Sequence, residues 1–322
     1  MGRYVRRLVG ELRPHVDQLV VTGSEPEPLG GVSFLPLPAR GGRLGRYYLD
    51  PLRAAPFVRR AAPAVVHAHG DDWALGGSTP VLRTFYGSSL SEALSSERLP
   101  RKVNHLVLAG LEWVSARRAT ASVAIAEESR RRFRAAEIIP PLVIAPAVRA
   151  TKTEQPTVVF VGALHTRKRG WLAAQVAEQL RGEIPGLTFT VIGPEVERSA
   201  YAPWVDFRAG LSDAEVASAI AGAWVLLAPS TYEGFGIPLV EAMAAGTAVV
   251  ATPNAGSREV LGDGRAGLLV PDDQIAGAVR TLLLSPADRQ GFEEKGRQRA
   301  QELLRAADPQ HYLAWYRRLA RG

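Results

Sequence analysis

Apolar runs alternate with helical patterns along the second half of the chain. The runs are TVVFVG, TFTVIG, WVLLAP, TAVVAT and GLLV, at residues 157–162, 188–193, 224–229, 247–252 and 267–270. Continuous apolar strands separated by helices are typical of a parallel sheet covered on both faces. The pattern predicts a Rossmann-like domain over residues 151–306.

The first half shows the same alternation more weakly, in DQLVVTG, AVVHAH, PVLRTF and TASVAIA. We expect a second Rossmann-like domain over residues 1–150, with the boundary in the polar segment Arg149 to Pro156. A last helix, Pro309 to Leu319, carries three aromatic residues on one side. Residues 307–322 are therefore predicted to dock back on the first domain.

The helix pattern at the start of the chain, Arg3 to Leu12, has no strand before it, whereas every other predicted helix follows one. The predicted fold class is α/β, with two Rossmann-like domains. We expect the first strand of the N-terminal domain to be missing, upstream of this helix.

Composition narrows the class of protein. The 322 residues are 46% hydrophobic and 22% charged, which is ordinary for a globular chain. The longest apolar stretch, Ala219 to Pro229, is shorter than the ~18–20 residues of a membrane span, and no leader pattern opens the chain. We expect a cytoplasmic protein. The absence of Cys excludes disulfides, thiolate zinc sites and thiol nucleophiles.

Charge is uneven along the chain, whose net charge is +7. Residues 1–150 contain 21 Lys and Arg against 13 Asp and Glu, and the remainder contains 18 against 19. A basic half can indicate nucleic acid, an anionic lipid surface or a phosphorylated substrate. Because 35 of the 39 cations are Arg, a GC-rich genome explains the balance equally well.

The segment 224–252 predicts a strand, a glycine-containing loop, a helix and a second strand, in that order. Pro238 suits a first helical turn and Gly246 suits the cap, so a helix is predicted over Ile237–Ala245. Glu241 is its one charged residue. Burying a carboxylate without a partner costs several kcal/mol, and the hydroxyls of a ribose would supply donors. Stabilisation by the helix dipole is the alternative.

Two loops at predicted strand ends could bind phosphate. One contains Glu233, Gly234, Phe235 and Gly236 before a helix N-terminus, where backbone N–H groups can approach an anion. The other follows Gly162 and contains three consecutive cations, Arg167 to Arg169. These cations could neutralise a diphosphate, or the run could be a solvated loop.

Other patterns carry less weight. The glycines of GDGRAG, at 262–267, precede a strand instead of following one, so they predict a turn and not a dinucleotide site. His67 and His69 share one face of a strand before Asp71 and Asp72. A metal site is conceivable there, but we expect these histidines to contact polar groups.

These residues resemble family 4 retaining glycosyltransferases of the GT-B fold, and the resemblance implies that the two Rossmann-like domains face each other across a cleft. The run PSTYEGFGIPLVEAMAAGTAVV, at 229–250, resembles the family signature of two glutamates separated by seven residues. VGALHTRKR, at 161–169, is similar to the family's basic loop, and the likeness extends over nearly the whole chain.

The resemblance implies a site for a nucleoside-diphosphate sugar, which is a co-substrate, with no metal and no resident cofactor. Glu233, Arg167 and Lys168 would be catalytic: the glutamate faces the sugar and the two cations bind the diphosphate. The remaining implied substrate-binding residues are Glu241 at the ribose, Gly234, Phe235, Gly236 and Ile237 along the turn, Gly193 and Leu211 near the base, and Gly162, Tyr86, His69 and Gly2.

Two departures from the family pattern stand in the first half. Tyr86 replaces a His that contacts the donor sugar, and its pKa of ~10 removes acid–base work near neutrality. Met1 to Tyr4 match the end of the family's glycine loop. We therefore expect the native protein to begin about 15–25 residues earlier, which is room for one strand and its loop.

The prediction is a metal-independent, retaining transferase that moves a sugar to an acceptor hydroxyl. The alternative is a catalytically impaired GT-B protein that binds a sugar nucleotide or a partner without turnover. A phosphorylase or epimerase fits the glutamate pair less well. The acceptor could be a phospholipid, an anionic sugar or an aminoglycoside-like metabolite; we expect no nucleic acid partner, and peripheral membrane contact through the basic first domain.

Overall fold

The computed structural model describes residues 2–22, 28–37, 45–70, 72–75, 77–96, 99–143 and 151–321. The chain divides into two compact units, Met1–Leu142 with Ala307–Gly322, and Val143–Ala306. The segment 144–150, which includes the predicted boundary residue Arg149, lies outside the described residues, as does Asp71.

The first unit begins with a helix and continues as alternating strands and helices. Its strands are β1 (Gln18–Thr22), β2 (Val32–Pro36), β3 (Val66–Ala68), β4 (Val81–Phe85), β5 (Ala121–Ala124) and β6 (Glu137–Ile138). Its first five helices are α1 (Gly2–Leu12), α2 (Asp50–Ala61), α3 (Ser89–Leu94), α4 (Leu99–Arg118) and α5 (Glu127–Phe133). A π-helical turn, Gly45–Leu49, precedes α2.

These strands form two parallel sheets. β1 pairs with β2, and a second sheet has the order β3-β4-β5-β6. The core against the second sheet contains Tyr4 and Leu8 of α1 with Leu82 of β4 and Val123 of β5.

The second unit contains one six-stranded sheet. Its strands are β7 (Thr157–Val161), β8 (Thr188–Ile192), β9 (Asp206–Arg208), β10 (Val225–Ala228), β11 (Ala248–Ala251) and β12 (Leu268–Leu269). Its α-helices are α6 (Gly170–Arg181), α7 (Asp213–Gly222), α8 (Ile237–Ala245), α9 (Ala255–Val260), α10 (Ile275–Leu284) and α11 (Pro286–Ala306). Every strand pair is parallel, in the order β12-β11-β10-β7-β8-β9.

The core of this unit lies on the sheet, because its central strands are apolar on both faces. Phe160 of β7, Phe189 of β8 and Leu227 of β10 are fully buried. Each apolar run that predicted a strand forms one, and the helix predicted over Ile237–Ala245 has those bounds. The turn predicted at GDGRAG is also present, with Gly262 and Gly264 at positive φ.

The chain returns to the first unit through a final helix, α12 (Gln310–Arg321). Tyr312 and Leu313 of α12 are buried in the core that Tyr4 and Leu8 line. The hydroxyls of Tyr4 and Tyr312 are 2.9 Å apart and form a hydrogen bond. The first unit is therefore discontinuous in sequence, since α12 completes its core.

One lysine of the second unit joins the end of a helix to the start of a strand. Lys152 Nζ donates to the carbonyls of Ala221 and Ala223 at 3.0 and 2.7 Å, and to Thr247 Oγ1 at 2.8 Å. Burial lowers the pKa of Lys152 to about 8. The ammonium group caps the C-terminal end of α7 and joins it to the start of β11.

Among the described residues, none of the helices combines the length and the apolar character needed to cross a bilayer.

Candidate functional site

The topology brings the two predicted phosphate-binding loops to one edge of the second sheet. β7 and β10 are adjacent parallel strands at its centre. The basic loop, 162–169, follows β7, and the glycine-containing loop, 229–236, follows β10. Because parallel strands end on the same side, both loops lie at the carboxyl edge of the sheet, where open α/β sheets bind ligands. Backbone contact joins them, since Thr231 N–H donates to the carbonyl of Arg167 at 2.9 Å.

Glu233 is the centre of this site. Its side chain is only 5% exposed, and two cations from the other loop reach it. Lys168 Nζ donates to Oε1 at 2.6 Å, and an Arg167 terminal nitrogen donates to Oε2 at 3.2 Å. Ser230 Oγ donates to Oε1 at 2.6 Å. The carboxylate therefore fixes both cations in one place.

Opposing influences act on the Glu233 carboxyl. Burial raises its pKa, whereas the charges of Lys168 and Arg167, with hydrogen bonds from Lys168 and Ser230, lower it. The cationic and hydrogen-bond contributions are larger, so the pKa of Glu233 lies below its ordinary value. The group is ionised at neutral pH.

Close backbone approach at the ends of β7 and β8 explains two predicted glycines. A Cβ on Gly162 would lie 2.8 Å from Lys168 Cβ and 3.0 Å from the ring of Phe160. A Cβ on Gly193 would lie 3.0 Å from the carbonyl oxygen of Gly162. The Lys168 side chain passes directly over Gly162. Because Gly162 has no side chain, Lys168 has room to reach the neighbouring loop.

The turn after Glu233 leads into the N-terminus of α8. Gly236 has φ of 103°, a conformation that favours glycine, and it is the residue before the helix. No acidic residue occupies the first turn of α8, so its positive end is available to an anion. Phe235 is 3% exposed; its side chain belongs to the core, and only its backbone can serve the predicted role. Gly234 and Ile237 are half-buried.

The prediction of three phosphate-binding cations is corrected by the structure. Arg169 turns away from Glu233: its Nε donates to the carbonyl of Pro229 at 2.5 Å, and its guanidinium binds both oxygens of Asp272 at 2.6 and 2.8 Å. Arg169 also has φ of 53°. Arg169 links the basic loop to the segments that contain Pro229 and Asp272. Cations that are consecutive in the sequence need not point in the same direction.

Glu241 and Leu211 are both half-buried, so the Glu241 carboxylate is only partly removed from water. Buried positions of α8 are Leu239, Val240, Ala242 and Met243. Glu241 lies outside that buried set, where a ligand group can reach a carboxylate.

The predicted residues of the first unit also form a pair. Tyr86 OH and His69 Nδ1 are 2.6 Å apart and form a hydrogen bond. Burial and the charge of Arg83 lower the pKa of His69 to about 3, and burial raises the pKa of Tyr86. Both groups are neutral near pH 7. His67 bonds to Tyr316 OH and Thr84 Oγ1, at 2.5 and 2.7 Å, so both histidines have polar partners.

Gly2 is the first residue of α1, and nothing is described of the chain before it. Among the described residues, no group of three or more His, Asp or Glu side chains could hold a metal ion.

Sequence reasoning missed two residues of the site. Ser230 follows β10 by two positions and contacts Glu233, a spacing of three that is visible in the sequence. Gly256 of α9 packs under the turn: a Cβ there would lie 2.5 Å from the Glu233 carbonyl oxygen and 2.8 Å from that of Phe235. Nothing in the local sequence indicates this second contact, because α9 reaches the turn only in the folded chain.

Chemically, the site offers two fixed cations, a helix N-terminus and an ionised carboxylate around a glycine-containing turn. This combination suits a ligand that carries both phosphate and hydroxyl groups.

Known proteins resemble this chain in sequence and in fold. Residues 145–299 match the family model for glycosyl transferases group 1. A phosphatidyl-myo-inositol mannosyltransferase of Mycolicibacterium smegmatis is 35% identical over 179 residues, which is 53% of this chain and 45% of that protein. The chain thus matches less than half the length of this curated relative.

Solved structures with a similar fold cover almost all of the chain. Sucrose-phosphate synthase of Thermosynechococcus elongatus has a TM-score of 0.78 at 20% identity, over 98% of this chain and 92% of that one. HepE of Anabaena, solved in complex with UDP-glucose, has a TM-score of 0.73 at 14% identity, over 97% of this chain and 95% of that one. Residues 145–299 are therefore similar in sequence to the glycosyl transferases group 1, and the fold of the chain is the GT-B fold predicted from the sequence.

Proposed function

We propose that this protein is a retaining glycosyltransferase that moves a sugar from a nucleoside-diphosphate sugar to an acceptor hydroxyl, without a metal ion. The observation that carries the proposal is the convergence of Arg167 and Lys168 on Glu233, beside the N-terminus of α8. The match of this region to glycosyltransferases supports the reaction class. Retention of configuration rests on the family resemblance of the glutamate signature.

Departure of a nucleoside diphosphate develops negative charge on phosphate oxygens. In this site Arg167 and Lys168 are already oriented, so they need little reorganisation to stabilise that charge. Arg167 can bind two phosphate oxygens through its planar guanidinium, whereas Lys168 acts as a point charge. The positive end of the α8 dipole adds to this stabilisation. These groups supply the positive charge that a metal would otherwise supply.

Glu233 performs two tasks in the proposed reaction. In the free protein it holds the two cations in place, at 3.2 and 2.6 Å. When a diphosphate shares those cations, the carboxylate becomes available to accept a hydrogen bond from a sugar hydroxyl. Glu241, half-exposed on α8, is proposed to accept from the ribose hydroxyls.

Relatives give the proposed donor a chemical class. One curated relative is a mannosyltransferase, and one structure of similar fold was solved with UDP-glucose. We therefore propose a nucleoside diphosphate hexose as the donor. Tyr86 and His69 are proposed substrate contacts from the first unit, and the proposed location is the cytoplasm.

The test is donor binding and transfer in one set of variants. Binding of UDP-, GDP- and dTDP-hexoses is measured by calorimetry, and sugar release or transfer is followed by product analysis. The double variant Arg167→Ala and Lys168→Ala should remove most transfer, and Glu241→Ala should weaken donor binding. The matched control, Lys295→Ala with Arg305→Ala, removes one lysine and one arginine from the exposed surface of α11 and should change neither.

A binding protein without turnover is the second candidate, favoured by one observation: the Tyr86 hydroxyl is neutral and engaged with His69. Saturable donor binding without hydrolysis or transfer, in both wild type and Tyr86→His, would support that alternative. Unchanged kinetics in the Arg167, Lys168 double variant and in Glu241→Ala would overturn the site assignment.

A further inference from the structure

The solvent-facing side of α4, in the first unit, is apolar. Four of its side chains are at least half exposed: Leu99 at 70%, Trp113 at 55%, Val103 at 52% and Val107 at 50%. Leu106 is exposed as well. Positions 99, 103, 106, 110 and 113 follow the spacing of one helical face, so these residues form a continuous stripe. We call this stripe, with its flanking cations, the α4 face.

The inner side of α4 contains polar groups as well as the buried Leu108, so the helix has apolar residues on both its inner and its outer side. Glu112 accepts hydrogen bonds from the backbone N–H and hydroxyl of Ser89, at 2.9 and 2.8 Å. Ser115 is buried and its hydroxyl donates to Asp72 at 2.8 Å. A surface helix normally turns its apolar side toward the core and its polar side toward water.

Further contacts fix α4 in this orientation. Tyr48 OH donates to Asn104 Oδ1 at 3.1 Å, and Asp72 pairs with Arg83 at 2.9 Å. Rotation of the helix to bury the apolar stripe would break the hydrogen bonds of Asn104, Glu112 and Ser115. The apolar stripe is therefore held outward by the fold, and contiguous exposed apolar surface of this kind indicates an interaction site.

The charges on the α4 face have one sign. Its exposed residues are Leu99, Pro100, Lys102, Val103, Leu106, Val107, Gly110, Trp113, Arg117 and Arg118. Three of these are cations and none is an acid. The guanidinium of Arg117 lies over the ring of Trp113, 3.4 Å from its centre. An apolar stripe with Trp and flanking Lys and Arg fits a bilayer surface that carries anionic headgroups.

The length of α4 suits contact along a membrane. Its 20 residues extend about 30 Å. Lys102 lies near one end and Arg117 and Arg118 lie at the other, so cations flank the apolar stripe at both ends. A helix lying in the interfacial plane would place the stripe among acyl chains and the cations among phosphate groups.

The uniform charge argues against a second copy of the chain as the occupant. A symmetric pair brings the same surface of both subunits together. Each α4 face would then present only cations to the other, and like charges across an interface are unfavourable. An anionic lipid surface has the complementary sign.

We propose that the first unit docks on anionic bilayers through the α4 face. The inference does not depend on the proposed transferase function, since docking requires neither a donor nor turnover. It assigns a specific surface to the membrane contact that the basic charge of residues 1–150 suggested.

The experiment is flotation of the full chain with two kinds of vesicle. One contains phosphatidylcholine alone, and the other contains about one-third phosphatidylglycerol. Wild type should bind the anionic vesicles strongly and the neutral ones weakly. Leu106→Glu with Val107→Glu should abolish flotation. The control Val196→Glu, at an 89% exposed valine of the second unit, should bind like wild type.

Reversal of one charge on the α4 face tests whether electrostatic attraction contributes to vesicle binding. Lys102→Glu should weaken binding to anionic vesicles about 25-fold, since it changes two unit charges at the surface. Lys102→Arg, which keeps the charge, should bind anionic vesicles like wild type. Lys295→Glu, on α11, should not change the binding. Thermal unfolding of every variant checks that the fold is retained.

Several results would overturn the proposal. One is equal flotation by wild type and the double glutamate variant; another is equal binding of wild type to neutral and anionic vesicles. If sedimentation analysis shows a wild-type dimer that the double variant loses, while neither floats, the α4 face is an interface between copies and the lipid proposal is wrong.

Discussion

Replacement of Gly162 by alanine is expected to displace Lys168 from Glu233. The added methyl would lie 2.8 Å from Lys168 Cβ, 2.9 Å from Lys168 Cγ and 3.0 Å from Phe160 Cζ. Carbon atoms in contact are normally about 3.5–4.0 Å apart. The lysine or the strand end must therefore move by about 0.7–1 Å. Such a shift would stretch the 2.6 Å bond from Lys168 to Glu233 to the limit of a useful hydrogen bond.

The expected cost has two parts. Overpacking of this kind destabilises a protein by about 1–3 kcal/mol. Each kcal/mol lowers Tm by about 2–4 °C in a domain of this size. Donor affinity should fall about tenfold, because one of the two cations leaves its place, and tenfold corresponds to about 1.4 kcal/mol.

The assay combines calorimetric unfolding with donor binding. Gly277→Ala is the matched control: Gly277 is exposed within α10 and a Cβ there would meet nothing within 4 Å. That change should stabilise the protein by about 0.4–1 kcal/mol, since alanine is the better helix former. If Gly162→Ala raises Tm as Gly277→Ala does, or leaves donor affinity unchanged, the close approach of Lys168 over Gly162 does not hold the site.

Three further changes have defined outcomes. Glu233→Gln should lower the free energy of unfolding at pH 7 by about 1–3 kcal/mol in urea titrations, because two half-buried cations lose their counter-charge. Since the folded-state pKa of Glu233 is depressed, its contribution is present above the unfolded value of about 4.3 and is lost as pH falls through the folded pKa, so wild type and variant should converge at low pH. Lys152→Met should cost about 1–3 kcal/mol, because three acceptors lose their donor, and a matched denaturation curve checks this. Tyr86→Phe should abolish one spectral component of phenolate titration that wild type shows only well above pH 10, because burial raises the Tyr86 pKa. If the component that the substitution removes titrates near pH 10, the Tyr86 hydroxyl is not buried.

Much of the fold could be predicted because its signals are local. The strands of the second unit are continuous apolar runs, and α8 has both of its ends marked, by Pro238 and Gly246. Three strands were not predicted. β6 and β9 contain two and three residues, and β2 is largely half-exposed, so none of them produces a strong apolar pattern.

Part of the candidate site could likewise be predicted from the sequence, and part could not. The order of the strands places the loops after β7 and β10 side by side, so the meeting of Arg167 and Lys168 with the glycine-containing turn could be anticipated. The direction of Arg169 could not, since its partner Asp272 is distant in sequence. The packing of Gly256 under the turn likewise depends on tertiary contacts that no local pattern encodes.

The discontinuity of the first unit has a consequence for synthesis on the ribosome. Domains usually fold in the order in which they are made. Here the core around Tyr4 and Leu8 lacks Tyr312 and Leu313 until α12 emerges, whereas Val143–Ala306 is contiguous and has all of its core by then. We therefore expect the later-made unit to reach its native state first, while the earlier-made unit waits, incomplete, for the last helix of the chain.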